Sequence, residues 1–168
     1  KVIFKYGNLG MPPLFGHGHL NPLSINISDD AGLLTYDSST YSYINDPDLR
    51  KFFRSSVAQN MPLRYLKEKP IQESLFSWSS DYQSDLISFF QFDDADIFSA
   101  ETNAFSGSRI NRTIIHKKEF LVIIDESSSD KFSSNWHLMD TRLSDVKFYQ
   151  FSKCEYDLKI LKPEIKKS

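Results

Sequence analysis

The sequence predicts an all-β fold, an antiparallel β-sandwich with at most one or two short helices. Phe (14) and Tyr (8), which favour strands, make up most of the aromatic residues. Short apolar segments recur at intervals of about 8–12 residues with turn residues between them, which is typical of a sandwich. Little apolar periodicity of the helical kind is present. With 168 residues the chain is long enough for one core, so we predict one domain over residues 1–161 and a charged tail over 162–168.

Composition and charge exclude several classes of protein. The formal charge is −2, so no basic excess exists to neutralise the phosphates of a nucleic acid. No apolar run approaches the roughly 20 residues of a membrane span. Cys154 is the single cysteine, which excludes an internal disulfide. Because the chain starts at Lys1 without a methionine or a signal peptide, we interpret it as a fragment of a larger protein whose compartment its sequence does not fix.

The N-terminal third is predicted to form short strands around a glycine-rich loop. Residues 2–6 form a first strand, and the two prolines at 12 and 13 then require a loop, because proline lacks the N–H donor of a central strand. Apolar and polar residues alternate over 23–28, and a second extended segment follows over 33–36. Together they predict a hairpin that turns at 29–32. Asn45, Asp46 and Pro47 are a helix-start signal, with one or two helical turns expected over 48–53.

The rest of the chain is predicted to be mainly extended. Residues 57–65 form an irregular or edge strand, because Pro62 lies within them. Lys117 and Lys118 are expected to turn a hairpin between two strongly apolar strands. The predicted strands are 84–92, 96–105, 110–116, 119–125, 132–139, 146–151 and 156–161.

Two closely spaced histidines and a carboxylate indicate a possible metal site. On an extended segment His17 and His19 would share one face, whereas in a glycine-rich turn they would diverge. Asp37 follows at the end of the next hairpin, and imidazole with carboxylate is plausible zinc ligation. A zinc site needs at least three protein ligands, and Gln59 is an uncommon one. The alternative is a His–Asp hydrogen bond in a cluster of polar loops.

Arg54 lies among aromatic residues and is a candidate for binding a substrate carboxylate through a bidentate fork. The alternative is a structural ion pair with Asp37, Asp46 or Asp48, and the sequence favours neither.

The tyrosines between the two polar stretches are candidates for contact with a sugar. Tyr41 and Tyr43 could donate hydroxyls to a carbohydrate or stack against it, although half-buried packing is the common role of such side chains. We interpret His116 as a surface residue of a hairpin and His137 as a structural residue.

Three stretches in this order resemble the heparinase II/III-like family of polysaccharide lyases. They are Gly-His-Gly-His at 16–19, Tyr-Asp-Ser-Ser-Thr-Tyr-Ser-Tyr at 36–43, and Asp-Leu-Arg-Lys-Phe-Phe-Arg-Ser-Ser-Val-Ala-Gln-Asn at 48–60. The resemblance implies a β-sandwich that follows an N-terminal (α/α) toroid and acts on acidic polysaccharide by β-elimination, in a periplasmic or secreted protein. It further implies that His17 faces the active cleft, and that zinc is held at the positions of His19, Asp37 and Gln59.

The sequence departs from the family pattern at points that bear on activity. Gln59 stands where the family has a third histidine, Asn21 and Pro22 replace an aspartate region, and Ser38 and Ser39 replace Pro-Gly. The toroid lies outside these 168 residues, so we expect the chain to be inactive by itself. The alternative is a carbohydrate-binding or structural sandwich without activity that descends from such a lyase.

Overall fold

A computed structural model of the chain describes residues 1–63, 68–128 and 133–139, together with 141 and 147. The predicted all-β fold is confirmed, because most regular structure in these residues is strand and every strand pairing among them is antiparallel. The strands are β1 Val2–Phe4, β2 Ile25–Asp29, β3 Gly32–Leu33, β4 Pro62–Leu63, β5 Gln72–Ser74, β6 Ser77–Trp78, β7 Ser84–Gln91, β8 Ala95–Phe105, β9 Ser108–Lys117, β10 Leu121–Ser127 and β11 Ser133–Ser134. Helix α1 is Pro47–Arg54, and a 3-10 turn follows at Ser56–Ala58.

The largest sheet has four strands in the order β10-β9-β8-β7. Strand β9 alternates as a strand with one buried face should, with Ile110, Arg112 and Ile114 buried between less buried neighbours. The hairpin predicted at Lys117 and Lys118 is present, with Leu121 paired to His116.

The remaining strands are short and form a three-stranded sheet, β1-β2-β3, and two pairs, β11-β4 and β5-β6. The core lies where the inner face of the large sheet meets the loops and short strands of residues 9–23, 61–63 and 78–82. Its buried members are Leu9, Phe15, Leu20, Leu23, Met61, Leu63, Trp78, Tyr82, Ala100, Ala104, Phe105 and Ile110. Two layers of this kind bury apolar side chains from both sides, which is the arrangement of a β-sandwich.

Arg112 joins the large sheet to the segments around Leu23 and Asn60. Its Nε and Nη2 atoms donate to the two carboxylate oxygens of Asp125 at 2.7 and 2.8 Å. Its Nη1 atom donates to the carbonyl oxygens of Leu23 and Asn60, each at 3.0 Å. A fully buried, bidentate arginine of this kind fixes the loops against the sheet.

Helix α1 begins where the sequence predicts. The carboxylate of Asp46 accepts the N–H of Leu49 at 2.9 Å, and Pro47 occupies the first helical turn, where its missing N–H costs nothing. The helix extends to Arg54, and its buried side chains are Arg50 and Arg54, one turn apart.

Some predicted strands are shorter than expected. Leu23 has a left-handed φ of 59°, so β2 starts only at Ile25, and β3 ends at Leu33 with a single later bridge from Thr35 to Leu138. The extended segment predicted over 57–65 is interrupted by the 3-10 turn, and only β4 remains of it in the described residues. The strand predicted over 132–139 is reduced to β11. The strand predicted over 146–151 lies outside the described residues except for residue 147, and the strand predicted over 156–161 and the tail at 162–168 lie outside them entirely.

Among the residues that the structure describes, no helix is long and apolar enough to span a membrane.

Candidate functional site

The Gly-His-Gly-His stretch forms a tight turn that requires both glycines. The N–H of Gly18 donates to the carbonyl oxygen of Phe15 at 2.8 Å, and Phe15 has a left-handed φ of 54°. A Cβ atom on Gly18 would stand 2.5 Å from the carbonyl oxygen of Leu9, and one on Gly16 would stand 2.9 Å from that of Phe76. Each glycine therefore allows a close approach of two backbones.

This turn gives the two histidines different surroundings, as the turn alternative predicts. His17 is exposed, its ring 6.2 Å from that of Tyr43, at the edge of an open pocket of about 450 Å³. His19 is half-buried, and its Nε2 atom lies 3.3 Å from the hydroxyl of Thr40. Of these two histidines, His17 is the more accessible to a molecule in solution.

Arg54 stabilises the turn through hydrogen bonds and packing. Its Nε atom donates to the carbonyl oxygen of Gly18 at 3.0 Å, its Nη1 atom donates to that of Leu75, and its guanidinium lies 5.1 Å from the ring centre of Trp78. The indole of Trp78 donates to the same Gly18 oxygen at 3.1 Å. The side chain has 0% exposure, and over the described ranges it has no ion pair within 4.0 Å, including with the three aspartates considered above.

Arg50, one turn earlier on α1, supports two exposed aromatic rings. Its Nε atom donates to the carbonyl oxygen of Leu75 at 3.0 Å, and its Nη1 atom donates to that of Ser42 at 3.4 Å. Its guanidinium carbon lies 4.7 Å from the ring centre of Tyr43 and 4.8 Å from that of Phe76. Arg50 likewise has no carboxylate within ion-pair distance in the part of the chain that is described.

Tyr41 and Tyr43 both lie at the surface, but in different settings. Tyr41 is 62% exposed, has a left-handed φ of 63°, and stacks on Phe53 with 5.4 Å between ring centres. Of the four non-glycine residues with a left-handed φ in the described part of the chain, Phe15, Ser39 and Tyr41 lie in the two loops of the site, and the fourth is Leu23. Strained backbone of this kind is common at functional sites.

Asp37 and Gln59 have separate hydrogen-bond partners. Asp37 is exposed, and its oxygens accept the N–H of Ser39 at 2.9 Å and the amide of Asn26 at 3.5 Å. Gln59 is buried, and its Nε2 atom donates to the carbonyl oxygen of Phe53 at 2.9 Å and to the hydroxyl of Ser38 at 3.1 Å. Its Oε1 atom is buried without a partner among the described residues.

Positive charge predominates around His19. Burial lowers the pKa of His19 most; the charge of Asp37 opposes this, whereas Arg54, Lys5 and Arg50 lower the pKa further. Burial also lowers the pKa of Lys5 to about 8, against the opposing effect of Asp37, and its ammonium donates to the side-chain oxygen of Asn21. Burial and the neighbouring Arg50 lower the pKa of Arg54 to about 10. Three cationic side chains and one carboxylate therefore act on this imidazole.

The residues at the three implied zinc positions are a poor fit to zinc. In the described portion of the chain, no three His, Cys, Asp or Glu side chains lie close enough together to hold a metal ion. A glutamine amide binds a metal through its oxygen, so Gln59 would offer the neutral Oε1 atom, a weaker zinc ligand than the imidazole nitrogen of a histidine. The nearby cations would also oppose a dication in a site that has a single carboxylate.

Several residues of the site were not predicted as site residues. They are Lys5, Arg50, Phe76 and His137. The backbone N–H of His137 donates to the side-chain oxygen of Asn60 at 2.6 Å. The Nε2 atom of His137 lies 3.2 Å from the carbonyl oxygen of Val57, and burial lowers the pKa of the ring. Arg50 lies within residues 48–60, but no sequence pattern predicts its contact with the ring of Phe76.

Fold and site together define an antiparallel β-sandwich domain whose polar site is carried by loops and one short helix. The family model described as Heparinase II/III-like, C-terminal, matches residues 1–155, and the chain belongs to this family. The chain is thus related to the polysaccharide lyases, and the family's C-terminal position implies a domain that precedes it. Comparison with curated proteins and with solved structures found no match.

Proposed function

We propose that this domain forms one wall of the active cleft of a lyase that cleaves uronic-acid-containing polysaccharide by β-elimination. The preceding helical domain would form the other wall, so the isolated chain is inactive. The proposal depends on the exposure of His17 at the edge of an open pocket. The turn that carries His17 is held by a hydrogen bond from the buried Arg54 to the carbonyl oxygen of Gly18. Membership of the heparinase II/III-like family supports the lyase chemistry.

The elimination needs three chemical contributions. A base removes the proton α to the uronate carboxylate, an acid protonates the leaving glycosidic oxygen, and the charge of the carboxylate is neutralised so that the proton becomes acidic enough. In our proposal, the imidazole of His17 contacts the substrate at the cleft and assists by hydrogen bonding or proton transfer. Arg54 is a positioning residue, because it is buried and acts on the turn through the carbonyl oxygen of Gly18.

Local charge supports an acidic substrate. Arg50 and Arg54 are both buried and, over the described part of the chain, neither has a carboxylate within ion-pair distance. Lys5 adds a third cation. Uncompensated charge of one sign beside an open cleft attracts a ligand of the opposite sign. The exposed Tyr41 and Tyr43 would contact the sugar rings.

The test joins the chain to the helical domain that precedes it and measures formation of the unsaturated uronate product from a panel of acidic polysaccharides. We expect product from the joined protein and none from the chain alone. His17→Ala should lower kcat/KM by about a hundredfold or more, whereas His116→Ala, in β9, should not. An unchanged rate in His17→Ala, or product from the isolated chain, would refute the proposed role.

A second candidate is a carbohydrate-binding or structural sandwich without catalysis. Gln59 favours this candidate. Where the family has a metal-binding histidine, this side chain is buried and its amide donates two structural hydrogen bonds. In that case the joined protein binds acidic polysaccharide but forms no unsaturated product.

A further inference from the structure

We propose that Tyr43 and Phe76 form a sugar-stacking subsite beside His17 that prefers an acidic sugar, because the buried Arg50 lies against both rings. This inference rests on the proposed function and adds a specificity-determining residue, Phe76, to it.

The two rings form one unit although they are 33 positions apart in the sequence. Their centres are 6.5 Å apart and their planes are nearly parallel, at 9°. The guanidinium of Arg50 lies 4.7 Å from one centre and 4.8 Å from the other, within the range of a cation–π contact with each. Arg50 also donates to the carbonyl oxygens of Ser42 and Leu75, which are the chain neighbours of the two aromatic residues. One side chain therefore fixes both rings and both backbones.

Both rings remain available to a ligand. Tyr43 is 51% exposed and Phe76 is 42% exposed, whereas the Arg50 behind them is 1% exposed. Phe76 also lines the open pocket with His17, and the Gly16 backbone approaches the Phe76 backbone closely. The subsite is thus continuous with the residue proposed to meet the substrate.

The cation explains why an acidic sugar is favoured over a neutral one. An aromatic face is electron-rich and repels a carboxylate. A guanidinium against the rings offsets that repulsion, and its charge is not cancelled by a carboxylate within ion-pair distance in the described residues. The apolar rings supply contact area for the sugar, and the cation supplies the preference for its charge.

The test measures binding of the full chain to uronate-bearing oligosaccharides from heparin, hyaluronan and alginate, with a neutral cellulose-derived oligosaccharide for comparison. We expect at least one acidic oligosaccharide to bind more tightly than the neutral one. Phe76→Ala should weaken that binding about tenfold, and Phe76→Trp should retain it. The matched control is Phe92→Ala, which removes a ring of 56% exposure just after β7 and should leave binding unchanged.

The outcomes separate this inference from the proposed function. If no acidic oligosaccharide binds the wild-type chain more tightly than the neutral one, the subsite is refuted, whereas the proposed function is decided by the product assay on the joined protein. If one binds and Phe76→Ala, shown to be folded by its thermal unfolding, binds equally well, the subsite is refuted while the proposed function stands. Equal affinity for acidic and neutral sugars would refute the role given to Arg50. Unchanged sugar binding with weakened association to the helical domain would make the rings an interdomain contact, which also overturns the subsite.

Discussion

At the scale of single residues, the two glycines of the turn have a role that can be measured. Gly18→Ala places a Cβ atom 2.5 Å from the carbonyl oxygen of Leu9 and 2.9 Å from its Cγ atom, so the backbone must move. We expect a loss of about 1–3 kcal/mol in the free energy of unfolding. Gly16→Ala, with its nearest contact at 2.9 Å, should lose less. Urea denaturation measures both, and the reverse order would contradict this account of the turn.

His19 is expected to make the stability of the chain depend on pH. Burial lowers its pKa below the ordinary value of 6.5, so the unfolded chain binds more protons than the folded chain when the pH is below that value. The free energy of unfolding should therefore be highest above about pH 6.5 and fall as the pH drops through the folded-state pKa. His137 acts in the same direction, because burial lowers its pKa as well.

The measurement is urea denaturation between about pH 5 and pH 8, the range in which histidine side chains titrate. A double variant, His19→Gln with His137→Gln, should show a smaller loss of stability on acidification than the wild type. The same loss in both proteins would mean that other groups cause it. In NMR titrations, Asp37→Asn should lower the pKa of His19 further, since the carboxylate raises it.

At the scale of elements, helix α1 anchors the site through its buried arginines. Arg54→Ala removes a fully buried side chain that packs on Trp78. The carbonyl oxygens of Gly18 and Leu75 each keep another donor, Trp78 and Arg50 respectively, so the loss is mainly one of packing. We expect about 2 kcal/mol less stability.

Lys51→Ala is the matched control on the same helix, because Lys51 is exposed, and it should change stability by less than about 0.5 kcal/mol. Equal effects of the two changes in chemical denaturation would show that Arg54 does not anchor the turn.

At the scale of the whole molecule, we predict that the purified chain binds little zinc. One carboxylate, one half-buried imidazole and a glutamine oxygen are a weak set of ligands, and three cations act on the same imidazole. Elemental analysis after dialysis against buffer with added zinc should give well below one zinc per chain. About one zinc per chain, lost in His19→Ala, would contradict this and restore the metal site that the family resemblance implies.

Gln59→His provides a sharper version of that experiment. If the third ligand is what the chain lacks, this variant should gain zinc and the wild type should not. If neither protein binds zinc, the missing third ligand is not the cause, and repulsion by the three nearby cations explains why zinc does not bind.

The sequence by itself determined the fold class, the short capped helix, the β9–β10 hairpin and the family, because these depend on local alternation, on capping and turn residues, and on the order of motifs. Tertiary structure decided which polar side chains meet. Arg54 is buried and donates to the carbonyl oxygen of Gly18, whereas the sequence allowed a substrate carboxylate or an ion pair as its partner. The two histidines have different surroundings, and Phe76 lies beside Tyr43. Such contacts depend on how segments far apart in the chain pack against one another, and periodicity within a segment carries no information about that packing.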